Sequence, residues 1–199
     1  MKKIILTIGI LIISLNCKSQ NQKATLYFRN GDTIQGLAKM SAWGKIRFRK
    51  NKQSTTENYD GKTVSKFDIE EDSSFIPNTY IYKLLQNKDY SSRPVLMKMI
   101  TEGKINLYKI TTTGTSAPMG FGGMGMGMSY SYENYYVCRD NSDIVIKLTT
   151  LGTFMGENFI KAASEYFNDC IDLVNKIENK VYRKKDIEEI VKFYNTKCN

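Results

Sequence analysis

A change of period about three-quarters of the way along the chain constrains the fold more than any motif. As far as Leu151, apolar residues recur at alternate positions in short runs. From Glu157 they recur every three or four residues. Alternation puts one face of a strand into a core, and a period of 3.6 does the same for a helix. The switch predicts an α+β chain: an antiparallel β-rich body with a C-terminal unit of two to three helices packed on it.

KATLYFRNGDTIQGLAKMS reads as a hairpin. Ala24, Leu26 and Phe28 alternate with Thr25, Tyr27 and Arg29, and Asn30-Gly31 supplies the positive-φ residues of a tight turn. Ile34 and Leu37 continue the apolar side, and Gly36 breaks the alternation as a bulge does. In KIRFRK, Ile46 and Phe48 alternate with Lys45, Arg47 and Arg49, giving one apolar face and one strongly basic face. KNKQSTTEN reads as a polar loop, and a turn at Asp60-Gly61 leads into a short strand. This succession suits a small SH3-like or Sm-like barrel. The loose likeness to Sm-type proteins implies a topology and not their RNA binding.

The middle reads as a meander. TYIYKLL, RPVLMKMI (with Pro94 at a strand start), KINLYKITTT, NYYVCRD and DIVIKLTTL are strand-like, and in the last Ile144, Ile146 and Leu148 form the apolar row. Between two of these strands lies a Gly/Met-rich hairpin insertion at 114–132, containing FGGMGMGM. In the tail, Phe159, Ala163, Tyr166, Phe167 and Cys170 share a helical face. Asp169 is placed to cap a second helix carrying Leu173, Val174 and Ile177. A third, from about Lys184, has Ile187, Ile190, Val191 and Tyr194 on one side, with acids early and lysines late as the helix dipole favours.

The chain opens MKKIILTIGILIISLNCKSQ. Lys2 and Lys3 precede an apolar run from Ile4 to Leu15, and small or polar residues follow, which is the layout of an export signal. The run is too short to span a membrane comfortably. Cleavage is expected between Ser19 and Gln20, making 1–19 a signal peptide, 20–150 the β-rich domain and 151–199 the helical tail on that same domain. A lipid anchor at Cys17 is the competing reading, although Asn16 fits a lipobox poorly. No second apolar run follows, so no transmembrane span is expected in the mature chain. Losing Lys2, Lys3 and Lys18 lowers the formal charge from +9 to +6. Outside the cytoplasm a basic surface meets anionic lipid head groups and glycans rather than nucleic acid.

Histidine is absent, which removes Ser-His-Asp and Cys-His mechanisms and the usual zinc sites. Carboxylate-only catalysis remains as an alternative, but the one acidic cluster, Glu70, Glu71 and Asp72, reads as a solvated turn. No cofactor is expected. In an oxidising compartment Cys170 and Cys198, at the two ends of the helical tail, are the favoured disulfide. Cys138–Cys170 is the competing pair, and Cys138 otherwise reads as a buried thiol. Met119, Met124, Met126 and Met128 offer soft thioether ligands of the kind Cu(I) takes, or adaptable apolar contacts. The anion-binding candidates are Lys45, Arg47, Arg49, Lys50 and Lys52.

NGDTIQG, EGKINLY, YYVCRDNSDIVIKL and EYFNDCIDLVNKIENKVYRKKDIEEIVKFYNTKC resemble a family of small exported proteins of the Bacteroidetes. The resemblance implies export, a β-rich body and a helical tail, and it supplies no catalytic residues. The function expected is that of an exported, non-enzymatic envelope protein that binds or scaffolds an envelope protein, a lipid head group or a glycan. A carboxylate-based enzyme on envelope polymers, or Cu(I) handling, is the alternative.

Overall fold

The computed structural model describes residues 21–41, 44–70, 76–86, 93–115, 128–140, 142–152 and 158–198. The expected signal segment, Glu71, Asp72, Met119, Met124 and Met126 lie outside the described residues. Among the described residues ten strands form one sheet: β1 (Gln22–Phe28), β2 (Thr33–Met40), β3 (Ile46–Arg49), β4 (Glu57–Tyr59), β5 (Val64–Ile69), β6 (Asn78–Leu85), β7 (Val95–Thr101), β8 (Ile105–Thr115), β9 (Ser129–Arg139) and β10 (Ile144–Leu151). Three helices follow among the described residues: α1 (Phe159–Tyr166), α2 (Ile171–Glu178) and α3 (Ile187–Lys197), the last preceded by a 3-10 turn at Lys184–Asp186.

The sheet runs β10-β9-β8-β7-β6-β5-β1-β2-β3-β4. Its first half has the strand order β5-β1-β2-β3-β4, with β5 returning beside β1 as in the barrel expected from the sequence. Ala24, Leu26, Ala38, Ile46, Phe48, Val64, Phe67 and Tyr82 share one core. Strands three places apart in the sheet reach that core only because the sheet curls. At the Asn30-Gly31 turn Gly31 takes φ +94°, and Phe28 N donates to Asp32 O at 2.8 Å.

Two expectations fail here. Gly36 is not a bulge, because β1 and β2 stay in register through the Ala24–Gly36 pair. A Cβ on Gly36 would sit 2.5 Å from both Arg49 O and the Phe48 ring, so the glycine lets β3 fold closely over β2. Nor is KNKQSTTEN wholly loop, since Glu57 and Asn58 pair with Phe48 and Arg47.

The second half is more than a meander. Ile144 and Val145 of β10 pair in parallel with Leu84 and Leu85 of β6, so β6 to β10 close into a ring. Every strand of the ring contributes to its interior: Ile81 and Leu85, Met97, Tyr108, Tyr136 and Cys138, and Val145. Strand β6 is the shared wall, with Tyr80 and Tyr82 in the first core and Ile81 and Leu85 in the second. Closure inverts the expected face of β10. Val145 is fully buried, while Ile144 and Ile146 are exposed. A register shift between Lys147 and Thr149 then brings Leu148 into the core on the helix side.

The helices cover the outside of this ring. Ile105, Leu107, Tyr135, Val137 and Leu148 meet Phe159, Ala163, Phe167, Leu173, Ile177, Ile187, Ile190, Val191 and Tyr194. Strands β8 and β9 are therefore buried on both faces, which explains their unbroken INLY and YYVC runs. Cys170 and Cys198 are joined, 28 residues apart in sequence, and Cys138 is a free buried thiol, so the Cys138–Cys170 pairing is excluded. Asp169 does not cap α2. The N-cap is Cys170, without a side-chain bond, because Asp169 instead receives Arg139. The described ends of the expected 114–132 insertion are strand, with Thr115 pairing to Ser129.

Candidate functional site

Burial of Ala24, Leu26, Ala38, Ile46 and Phe48 dictates what faces outward on the first barrel. Lys23, Thr25 and Tyr27 of β1, Gln35, Leu37 and Lys39 of β2, and Arg47 and Arg49 of β3 occupy the alternate positions. Register sorts them into cross-strand rows. Lys39 lies directly opposite Arg47, which is followed by Asn58 of β4. Leu37 stands between Lys23 and Arg49.

Two cations opposite one another on a sheet face repel. Among the described residues no carboxylate lies within ion-pair distance of Lys39, Lys45, Arg47, Lys50 or Lys52. Arg49 is more constrained. Its Nη1 donates to Lys52 O at 3.4 Å, and the Asn21 amide, with its oxygen turned to the guanidinium, accepts from Nη2 at 2.5 Å. Lys50 and Lys52 ride on the β3–β4 turn, which Asn51 organises by accepting from the backbone N–H of Gln53 (3.0 Å) and Ser54 (2.9 Å). Lys45 enters β3 beside Ser41. Of the five expected residues, Arg47 and Arg49 thus share a sheet face and the other three flank it. Lys39 was invisible to local reading, because its place opposite Arg47 depends on the β2–β3 register.

Along the same outer surface a groove of about 540 Å³ opens, lined by Lys23, Thr25, Tyr27, Gln35, Asp68 and Glu70. Its floor is fixed by Asp68. Tyr27 Oη donates to Asp68 Oδ2 at 2.9 Å, Thr79 Oγ1 donates to Oδ1 at 2.7 Å, and Lys66 Nζ stands 3.6 Å away. The hydrogen bond to the Asp68 carboxylate pushes the Tyr27 hydroxyl pKa up. Lys23 and Glu70 pair loosely at 3.6 Å across the rim.

The other expected sites are less assembled. Met128 is 77% exposed at the start of β9, where Tyr130 and Tyr132 stack at 6.2 Å between centroids and the Tyr130 ring covers Gly114. Among the described residues no three His, Cys, Asp or Glu side chains form a metal-binding group. Inside the ring, Lys83 is 6% exposed and donates to Ser142 O at 2.7 Å, while Cys138 Sγ lies 3.8 Å from the Tyr108 hydroxyl. These groups lie among the side chains of the ring interior.

Compared with family models, with curated proteins and with solved structures, the chain matches none.

Proposed function

We propose that this is an exported, non-enzymatic protein of the periplasm or cell surface that binds anionic groups of the envelope through the outer face of its first barrel. The observation that carries the reading is the Lys39–Arg47 pair, two opposed cations without a carboxylate partner among the described residues. A site that keeps such a repulsion gains when an anion enters between the two side chains. Lys45, Lys50 and Lys52 widen the positive field around it, and Arg49 is held in place by Asn21 and Lys52 O.

The test is retention on anionic vesicles and on an acidic polysaccharide at low and high salt. Binding is expected to weaken steeply with salt, because exposed charges are screened over about 10 Å at 0.1 M. The double variant Lys39→Glu with Arg47→Glu is expected to lose retention. Undiminished retention in that variant overturns the reading.

A carboxylate hydrolase is the second reading, favoured by one observation: Asp68 and Glu70, two residues apart, line one groove. Residues at that spacing on a strand lie about 7 Å apart, within the range used by paired carboxylates. Against it, Asp68 already accepts from Tyr27 and Thr79. Reducing-end release by the wild type that Glu70→Gln abolishes is the result this reading requires.

A further inference from the structure

The groove and the cationic row lie on one continuous face, and their chemistries differ. Gln35 and Lys39 are four residues apart on β2, which places them about 13 Å from one another. At the Gln35 end the groove offers donors and acceptors together: the free Gln35 amide, the Thr25 hydroxyl, Lys23, and the carboxylates of Asp68 and Glu70. At the Lys39 end the face offers the cations Lys39 and Arg47, with Asn58 next to Arg47.

This pairing discriminates between anionic ligands. A bare polyanion or a phosphate head group brings no hydroxyl for Asp68 and Glu70 to accept from, and Lys66 and Lys23 already balance their charges. Among the described residues, the apolar side chain beside the cations on the outer face is Leu37, which is half-buried. A chain that carries hydroxyls and charges in alternation fits both ends. A carboxylate oxygen already taking one hydrogen bond retains acceptor capacity for a second, so Asp68 can accept from a sugar hydroxyl without releasing Tyr27 or Thr79. The Gln35 amide, exposed and without a partner among the described residues, can donate to one hydroxyl and accept from another.

We infer that the groove and the cationic row together take an acidic polysaccharide, a uronate-type chain whose hydroxyls enter at Gln35 and Asp68 and whose carboxylates sit on Lys39 and Arg47. The inference rests on the proposed anion-binding role and narrows it to one ligand class.

The experiment measures binding of the protein to three probes by calorimetry: polygalacturonate, polyacrylate of matched charge, and vesicles rich in phosphatidylglycerol. Polyacrylate carries the carboxylates without the hydroxyls. Polygalacturonate is expected to bind roughly tenfold tighter than polyacrylate or the vesicles. Gln35→Ala, an exposed substitution, is expected to weaken polygalacturonate binding three- to tenfold and leave polyacrylate binding unchanged. Arg47→Glu is expected to weaken both. Equal affinity for polygalacturonate and polyacrylate, or tighter binding to vesicles, overturns the polysaccharide inference and leaves the anion-binding role standing. Indifference of both polymers to Arg47→Glu overturns the two together. Asp68→Asn serves as a second groove variant, and circular dichroism verifies that each variant is folded.

Discussion

Arg139 grips Asp169 with both arms of its guanidinium, Nη1 to Oδ2 at 2.8 Å and Nη2 to Oδ1 at 3.0 Å. Tyr194 joins them, its hydroxyl 2.5 Å from Asp169 Oδ2, and Arg139 Nη2 also donates to the Tyr166 carbonyl at 2.8 Å. One side chain at the end of β9 thereby ties together α1, the turn before α2, and α3. The guanidinium lies near the Tyr166 and Tyr194 rings, 5.2 and 5.1 Å from their centroids. The helical tail is latched to the ring by this cluster as well as by its apolar stripe.

The latch makes acid stability testable. Hydrogen bonding from Arg139 holds the Asp169 carboxyl at about 2, below the usual value of about 3.9. A depressed carboxyl contributes stability that is complete above its unfolded pKa and is lost as pH falls through its folded one. The contribution is therefore full at neutral pH, declines below about pH 5 and is gone near pH 1. The Asp169 side chain is 41% exposed, so solvent screening trims it. Asp169→Asn is expected to cost roughly 1–2 kcal/mol at neutral pH and to flatten the acid limb. Urea titrations over that pH range check this, and an equally steep limb in the variant contradicts it.

The disulfide supplies a second tie across the tail. Cys170 and Cys198 enclose 28 residues, for which the chain-entropy account gives about 3–4 kcal/mol. Replacing both by Ser is expected to lower stability by that amount in urea, and reductant is expected to lower the wild type equally. Cys138, 3% exposed inside the ring, is expected to resist alkylation until global unfolding, as peptide mass spectrometry would show. Alkylation of the Cys138 peptide in the native protein contradicts that.

Glycines at two close approaches are expected to differ. Gly36→Ala forces a Cβ against Arg49 O, a backbone atom that cannot swing away, as well as the Phe48 ring. A loss of about 1–3 kcal/mol is expected. At Gly103 the obstacle is the Asn195 side chain, 2.5 Å from the ideal Cβ. That amide can move, but it accepts from Ile105 N at 2.8 Å and donates to Ile105 O at 2.9 Å. Gly103→Ala is thus expected to cost about one lost pair of hydrogen bonds, near 1–2 kcal/mol, and to free the end of α3. Hydrogen exchange at α3 separates the two variants: it is expected to rise for Gly103→Ala and not for Gly36→Ala.

Local patterns reveal β1, β2, β3 and β5 and the three helices, because each is decided by alternation or by a stripe within one segment, whereas the short β4 hid in a polar run. What they miss depends on pairing between segments. The inward face of β10 is set by its parallel contact with β6, so reading DIVIKL in isolation chooses Ile144 and Ile146 over Val145. The role of Asp169 is set by Arg139, 30 residues earlier. Gly36 looks like an interruption in β2 until β3 is laid over it. The same holds for the candidate site. KIRFRK shows a basic face by itself, but Lys39 and the Gln35–Asp68 groove exist only once β1, β2, β3 and β5 are in register.

The opposed cations lead to a prediction in which stability and binding move in opposite directions. Lys39 and Arg47 face each other across β2 and β3, and a like-charge pair directly opposite on a sheet destabilises by a few tenths of a kcal/mol to about 1 kcal/mol. Lys39→Glu turns the repulsion into an attraction without touching the core, since Ala38 and Met40 keep their places on β2. The variant is expected to unfold at a slightly higher temperature than the wild type at low ionic strength, a gain that salt removes. The same variant is expected to bind polygalacturonate several-fold more weakly. A structural salt-bridge position gains stability without changing binding, and a merely solvated surface changes neither. The anion site is the one case in which melting temperature rises while affinity falls, as sites kept for function often cost stability. Thermal melts and calorimetry on a single preparation of Lys39→Glu read both quantities.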